Sequence, residues 1–106
     1  MTRVMYMVKS TISPENEDAY NDWYNHIHLP EFLSFPGVIR ANRYRSILGE
    51  DEYQYITVYE FQDEATLRKM LASRQMKDLK TDFDRRFPES KRTIAAYEHV
   101  FGPSGG

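Results

Sequence analysis

The order of apolar and polar positions along the chain predicts four strands and two helical regions, arranged βαββαβ. Residues 2–12 predict a first strand that is apolar on both faces, which is typical of a central strand. Segments 38–48 and 53–62 predict a hairpin closed by the polar loop 49–52, and 93–101 predicts a last strand. This order is typical of an α+β, ferredoxin-like fold, in which a four-stranded antiparallel sheet has strands one and three at its centre and both helices on one face.

The first helical region carries the most unusual part of the pattern. Ser13-Pro14-Glu15 is typical of a helix start, because proline fits the first turn and an acidic side chain favours the positive end of the helix dipole. Apolar residues recur at helical spacing as far as Ile27. Pro30 disfavours helical backbone at the residue before it, so the helix is expected to end near His28.

The second helical region is marked by two cap residues and a proline. Asp63 and Ser73 are cap residues before two runs of helical periodicity, and Pro88 ends the second run. We expect one domain over residues 1–101, followed by a flexible tail over 102–106 that is rich in glycine.

Composition narrows the functional class. The chain has 106 residues, a net charge of −2 and no cysteine, so it offers no thiolate chemistry and no basic footprint for nucleic acid. RNA-binding domains of similar strand order need a glycine and basic residues in strand three, and 54–61 has neither. No apolar run approaches the roughly 20 residues of a membrane span. We therefore expect a cytoplasmic protein that binds neither nucleic acid nor membrane.

Two histidines near the end of the first helix are the leading candidates for chemistry. His26 and His28 are two residues apart and diverge on a helix, whereas a metal pair favours spacings of three or four, so we expect no metal site. His28 shares one side of the helix with Tyr24, and His26 shares another with Asp22. His28 fits two roles: a general acid/base, or a structural histidine that holds the helix end.

Polar residues of the sheet are the candidates for substrate binding. A four-residue hairpin loop places Asn42 opposite Tyr59 and Tyr44 opposite Thr57, all on one face, while a one-residue slip replaces them. On the last strand, Tyr97 and His99 also share a face, and His99 fits either a second acid/base or the rim of a barrel. The predicted substrate-binding residues are Tyr24, Asn42, Tyr44, Tyr59, Tyr97 and His99.

Two basic pairs flank Pro88. Arg85-Arg86 and Lys91-Arg92 are interspersed with acidic residues, which is typical of a solvated surface. The same charges can also attract an anionic substrate. No phosphate-binding or nucleotide-binding glycine motif is present, so we expect no cofactor.

A set of residues around this helix resembles the EthD-type members of the dimeric α/β-barrel superfamily. The matching residues are Trp23, Tyr24, His28, Pro30, Glu31, Pro36, Gly37 and Val38. The resemblance implies a homodimer whose sheets form a barrel, with a ligand cleft between helix and sheet in each subunit. In this resemblance His28 matches the histidine of the family pattern, and His26 is an addition to that pattern.

The resemblance also suggests three kinds of function. The superfamily includes cofactor-free decarboxylases, cyclases, lactone isomerases and oxygenases that act on aromatic or polyketide molecules. The first hypothesis is a cofactor-independent lyase (decarboxylase or dehydratase) or isomerase, with His28 as the acid/base and tyrosine hydroxyls holding the oxyanion. The alternatives are a cofactor-free monooxygenase and a non-catalytic ligand-binding or accessory protein.

Overall fold

The computed structural model of the chain describes residues 2–103 and contains one sheet with helices packed on one of its faces. In chain order its strands and α-helices are β1 (Val4–Ser10), α1 (Glu17–Trp23), α2 (Leu29–Leu33), β2 (Val38–Arg45), β3 (Tyr55–Phe61), α3 (Glu64–Leu71), α4 (Arg74–Arg86) and β4 (Arg92–Glu98). All neighbouring strands are antiparallel, in the order β2-β3-β1-β4. The predicted α+β, ferredoxin-like fold with β1 and β3 at the centre is confirmed. Part of the predicted C-terminal tail, residues 104–106, lies outside the described residues.

The first helix continues through Pro30 instead of ending near His28. A 3-10 turn, Pro14–Asn16, leads into α1, and a π-helical turn, Tyr24–His28, joins α1 to α2. Leu29 keeps helical backbone angles, and its N–H donates to the carbonyl oxygen of Tyr24, five residues earlier. The wider turn makes room for the proline ring, which would clash with a carbonyl in a regular α-helix. The predicted helix end is therefore wrong.

The other helix starts follow their cap residues. The Asp63 side chain accepts a hydrogen bond from the backbone N–H of Thr66 at 2.7 Å, and α3 begins next to it. The Ser73 hydroxyl accepts from the backbone N–H of Met76 at 3.1 Å at the start of α4. Both predicted caps are confirmed, because each satisfies an N–H that has no partner within the helix.

The register of β2 differs from the predicted one by one residue. Arg45 pairs with Tyr55, so the connecting loop runs over 46–54 and has an odd number of residues, whereas the predicted loop had four. A shift of one residue turns every side chain of the strand to the other face. Arg43 therefore lies opposite Thr57 on the helix side, and the predicted placement of Asn42 on that side is wrong.

The helices leave the edge strand β4 uncovered. Tyr59 and Phe61 on β3 are fully buried beneath the helices, whereas Ile94 on β4 points to the same side of the sheet and is 57% exposed. An open cleft therefore runs between α4 and β4. This cleft gives access to the interior where the first helix meets the sheet.

Candidate functional site

His28 lies where two clusters of buried side chains meet. One cluster contains Phe32 and packs α2 and α3 on the sheet, and the other contains Trp23 and Phe83 and packs α1 on α4. The His28 side chain contacts members of both clusters, and the residue is only 6% exposed. The π-helical turn sets this position, because it rotates the end of the first helix relative to α1.

The imidazole of His28 is held by aromatic rings. It stacks on the Trp23 ring with centroids 4.8 Å apart, and it meets the Tyr24 ring edge-on at the same distance. The rings of Phe32 and Phe83 lie 6.2 Å and 6.1 Å from it. Contacts on several sides fix the orientation of the imidazole without a hydrogen bond.

The electrostatic surroundings keep His28 neutral. Burial, and then the positive charge of Arg92, lower the pKa of His28 to about 4. Its Nδ1 is enclosed and has no hydrogen-bond partner among the described residues 2–103. Buried polar atoms normally have a partner, and an exception often marks a functional group. At neutral pH the side chain is an unprotonated imidazole, which can accept a proton.

Two tyrosines line the same cavity as this imidazole. The hydroxyl oxygens of Tyr24 and Tyr59 are 3.0 Å apart, and both residues are buried. Burial raises the pKa of both phenols, so each keeps its proton at neutral pH. Neutral phenols beside a buried imidazole are hydrogen-bond donors for an oxygen atom that gains negative charge.

His28 and both tyrosines line a small inner cavity that adjoins the cleft. The inner cavity has a volume of about 30 Å³, and the cleft between α4 and β4 has a volume of about 580 Å³. The inner cavity has room for roughly one or two water molecules, so it is too small for an aromatic ring. The residues that line both spaces are Tyr6, Met76, Lys80, Arg92 and Ile94.

The structure brings together only part of the predicted substrate-binding set. Tyr24 and Tyr59 lie beside His28, whereas Asn42 and Tyr44 lie on the opposite face of the sheet because of the register of β2. Tyr97 pairs with Met5 on that same outer face, and the backbone N–H of His99 donates to the Arg3 carbonyl beyond the end of β4. These four residues do not line the cavity at His28.

Several residues at the site were not in the predicted set. Tyr6, Lys80 and Phe83 line the inner cavity, and no local pattern in the sequence pointed to them. Arg92 belongs to one of the two basic pairs that flank Pro88 in the sequence. Arg43 lies with its guanidinium carbon 4.3 Å from the centroid of the Tyr24 ring. Its Nη1 donates to Asn25 Oδ1 at 2.7 Å, which connects β2 to the first helix.

The second histidine of the helix lies at the surface. His26 Nε2 is 3.7 Å from an Asp22 carboxylate oxygen, and both side chains are exposed. This agrees with the expectation that His26 shares a flank with Asp22. Within residues 2–103, no group of three or more histidine, aspartate or glutamate side chains is arranged to hold a metal ion. In the same part of the chain, no helix has the length and apolar character needed to cross a membrane.

Comparisons with known proteins agree on the fold. A family model described as a domain of unknown function, DUF4286, matches residues 3–99. An EthD family protein from Bacillus halodurans is 18% identical, with a TM-score of 0.71 over 94% of this chain and all of that chain. A DABB family protein with a ferredoxin-like fold from Mesorhizobium loti is also 18% identical, with a TM-score of 0.65 over 96% of this chain and all of that one. The predicted EthD-like resemblance is thus confirmed for the fold.

A third solved structure is of a protein with a stated activity. SnoaB from Streptomyces nogalater, a cofactor-independent oxygenase, is 16% identical and has a TM-score of 0.68, covering 97% of this chain and 98% of its own. At this identity the likeness establishes a shared fold and leaves the reaction open. No curated protein matches the sequence.

Proposed function

The chain belongs to the DUF4286 family, and we propose that it is a cofactor-independent enzyme that moves protons within a small aromatic or polyketide-like molecule. Its reaction is that of a lyase, such as a decarboxylase or dehydratase, or of an isomerase or cyclase. One observation carries the proposal. The buried, neutral His28 lines the same cavity as the hydroxyl-bearing rings of Tyr24 and Tyr59, and that cavity adjoins an open cleft.

In the proposed chemistry the imidazole transfers the proton and the phenols stabilise the negative charge. His28 takes a proton from a carbon that lies beside a carbonyl group of the substrate or is conjugated with it through the ring, and the electron pair moves to the carbonyl oxygen. Of the paired hydroxyls of Tyr24 and Tyr59, one donates to the other, and the second donates a hydrogen bond to the enolate oxygen. The imidazolium then returns the proton to another carbon in an isomerisation, or to a departing hydroxyl, which leaves as water in a dehydration.

The sizes of the two spaces fix how a substrate enters in this proposal. An aromatic ring occupies the cleft beside β4, because the inner cavity is too small for it. The carbonyl group reaches inward to the imidazole and the phenols. The apolar walls of the inner cavity exclude bulk water, and this strengthens the hydrogen bonds to the developing charge.

The active form in this proposal is a homodimer. The outer face of the sheet, which points away from the helices, carries apolar side chains on three strands that nothing within residues 2–103 covers. They include Met5, Met7, Ile56, Val58 and Tyr97. Pairing two such faces buries apolar area from both copies and closes the two sheets into a barrel.

A cofactor-free monooxygenase is the second candidate. The shared fold with SnoaB favours it, and so does the same neutral imidazole. In this reaction His28 removes a proton from a phenol or an acidic C–H group, and the resulting carbanion reacts directly with molecular oxygen. The hydroperoxide that forms loses water, so one oxygen atom stays in the product as a carbonyl group. Oxygen consumption distinguishes this candidate from the first.

Anthrone, an uncharged aromatic ketone with an acidic C–H group, tests the proposal. In deuterated buffer the wild-type protein should speed deuterium incorporation at that carbon, measured by mass spectrometry after subtraction of the rate without protein. We expect His28→Gln to lower the rate by about 100-fold or more, because it removes the group that carries the proton. His26→Gln is the matched control, since this exposed histidine lies outside the cavity.

The outcomes separate the candidate functions. Exchange without oxygen uptake supports the lyase or isomerase reaction, and oxygen uptake with formation of anthraquinone supports the monooxygenase. Equal exchange by wild type and His28→Gln contradicts the role of His28. Binding of anthrone without acceleration of either process indicates a ligand-binding or accessory protein.

A further inference from the structure

The cleft beside β4 has a charged rim, and the proton-transfer proposal makes no use of this charge. Lys77, Lys80 and Asp84 of α4 line the cleft on one side, and Arg92 of β4 lines it on the other. Three cations and one anion give the rim a net positive charge, although the whole chain is negative at −2. The rim therefore differs in charge from the protein as a whole.

Arg92 has the most closely defined position among these cations. Its Nη2 is 2.6 Å from Asp84 Oδ1, and its guanidinium carbon is 4.0 Å from the centroid of the Phe83 ring. The ion pair and the stacking hold the side chain at the place where the cleft meets the inner cavity, since Arg92 lines both. A fixed guanidinium is well suited to bind a carboxylate through two parallel hydrogen bonds.

The two lysines supply charge that has no partner. No ion pair is found for Lys77 or Lys80 within residues 2–103, and Asp84 is already engaged by Arg92. Lys80 lines the inner cavity as well as the cleft, so its ammonium group can approach a ligand from the side opposite Arg92. Positive charges at the mouth of an apolar cleft raise the local concentration of anions.

We propose that this rim recognises a carboxylate on the aromatic ligand, held between Lys80 and Arg92. The ring then lies on the apolar surface of Tyr6, Met76 and Ile94, with its reacting group towards His28. The carboxylate serves as an anchor and takes no part in the proton transfer. This inference rests on the proposed function, because it takes the same cleft as the substrate site.

Binding of such an anion also affects the imidazole. The positive charge of Arg92 is the second cause, after burial, of the lowered pKa of His28. A carboxylate beside Arg92 offsets that charge, so the pKa of His28 rises in the complex. The ligand thereby makes the imidazole a stronger base at the moment when a proton has to be removed.

Two probes of the same shape test the recognition of charge. Calorimetric titration at pH 7 compares 2-naphthoate with its uncharged amide, 2-naphthamide. We expect the carboxylate to bind at least about tenfold more tightly than the amide, because hydrogen bonds to charged groups are the stronger ones. In Lys80→Gln and in Arg92→Gln this preference, the ratio of the two affinities, should fall severalfold.

Matched variants show whether the preference for the carboxylate depends on where the positive charge lies or only on its presence. Lys69→Gln removes an exposed lysine of α3 that does not line the cleft, and it should keep the full preference for 2-naphthoate. Arg92 also packs on Phe83, so circular dichroism must first show that Arg92→Gln is folded. Lys80→Gln changes an exposed side chain and carries the test if Arg92→Gln is not folded.

The results separate this inference from the proposed function. Equal affinity for the two probes, or an equal loss of preference in Lys69→Gln, overturns carboxylate recognition. Anthrone carries no charge, so its deuterium exchange tests His28 independently of the rim. Tight binding of 2-naphthoate with no acceleration of exchange would support the carboxylate site and contradict the enzyme. If neither naphthyl probe binds, the inference is overturned.

Discussion

At the scale of single residues, the candidate site is centred on one imidazole whose surroundings are almost entirely aromatic. Trp23 stacks on one side of His28 and the edge of Tyr24 meets it from another direction, so the ring is fixed by packing. Within the part of the chain that the structure describes, its Nδ1 lacks the hydrogen bond that buried polar atoms normally have. The same environment that positions the imidazole also keeps it uncharged.

The lowered pKa of His28 makes stability depend on pH. Above pH 6.5 the residue is neutral in both the folded and the unfolded chain, so it makes no difference to stability. As the pH falls from 6.5 to about 4, the unfolded chain takes up a proton that the folded protein does not. The free energy of unfolding should lose about 3 kcal/mol over this range and no more below it, at about 1.4 kcal/mol per pH unit.

Urea denaturation at a series of pH values measures this loss. His28→Gln should remove the contribution between pH 6.5 and 4, although it also changes the packing against Trp23. NMR titration of the His28 ring protons in the wild-type protein gives the pKa directly. A midpoint near 6.5 would contradict the proposed environment, and with it the neutral imidazole on which the mechanism depends.

At the scale of secondary-structure elements, two local features position the site. The π-helical turn carries the first helix past Pro30 and places His28 and Phe32 on the buried side, while Ile27 is 43% exposed. The turn at Gly37 then directs the chain into β2 against the start of α3. Gly37 has a φ of 91°, and a Cβ atom there would overlap the Thr66 methyl group.

Gly37→Ala should therefore destabilise the protein by about 3 kcal/mol or more. The left-handed φ costs about 1–2 kcal/mol for alanine, and the overlap with Thr66 adds a similar amount. Gly49→Ala is the matched control, since Gly49 has a φ of 92° but no atom within 4 Å of the added Cβ. Thermal or urea unfolding of both variants separates backbone strain from steric overlap.

A second substitution identifies the source of the overlap. Thr66→Ser removes the methyl group and keeps the hydroxyl that accepts from Gln62 Nε2 at 3.3 Å. In the double variant with Gly37→Ala, it should restore the stability that is lost to steric overlap. That part is the amount by which Gly37→Ala destabilises the protein more than Gly49→Ala does. If Gly37→Ala and Gly49→Ala cost the same, the close packing of this turn on α3 is refuted.

At the scale of the whole molecule, the two faces of the sheet differ in what they contact and present. The inner face and the helices enclose His28, and the outer face presents apolar side chains around an ion-pair cluster. Glu60 is at the centre of this cluster, 3.0 Å from Arg3 Nη1 and 3.0 Å from Arg40 Nε. A charged cluster among apolar residues is typical of an interface that selects one orientation of its partner.

The proposed homodimer predicts that one charge on the outer face separates the copies. Val58 lies on the central strand β3 next to Met7, and both side chains point away from the helices. Val58→Glu should shift the protein from dimer to monomer in sedimentation experiments, because an unpaired buried carboxylate is strongly unfavourable. Thr81→Glu adds the same charge to the exposed surface of α4 and should leave the dimer intact.

The oligomeric state of the wild-type protein tests the proposed interface directly. A stable interface of standard size buries about 800 Å² on each partner, and the dimer should then persist at micromolar concentrations. A wild-type protein that sediments as a monomer under these conditions would rule out the outer face as a dimer interface.

The sequence by itself determined the kind, order and pairing direction of the elements. Apolar residues on both faces of segment 2–12 indicated a central β1, and the βαββαβ order placed strand three beside it at the centre of the sheet. Asp63 and Ser73 marked helix starts, because their side chains satisfy free N–H groups locally. The sequence also predicted that Tyr24 and His28 lie on the same side of the helix, since residues four apart share one side.

Only the tertiary structure decided the features that depend on distant contacts. The parity of the 46–54 loop set the register of β2 and brought Arg43, rather than Asn42, to the helix side. Packing on α4 and the sheet stabilised a helix that Pro30 alone would have ended. The gap between α4 and β4 brought Lys80 and Arg92, 12 positions apart in the chain, to one cleft beside His28. Local patterns cannot specify such a gap, because it follows from which strand the helices leave uncovered.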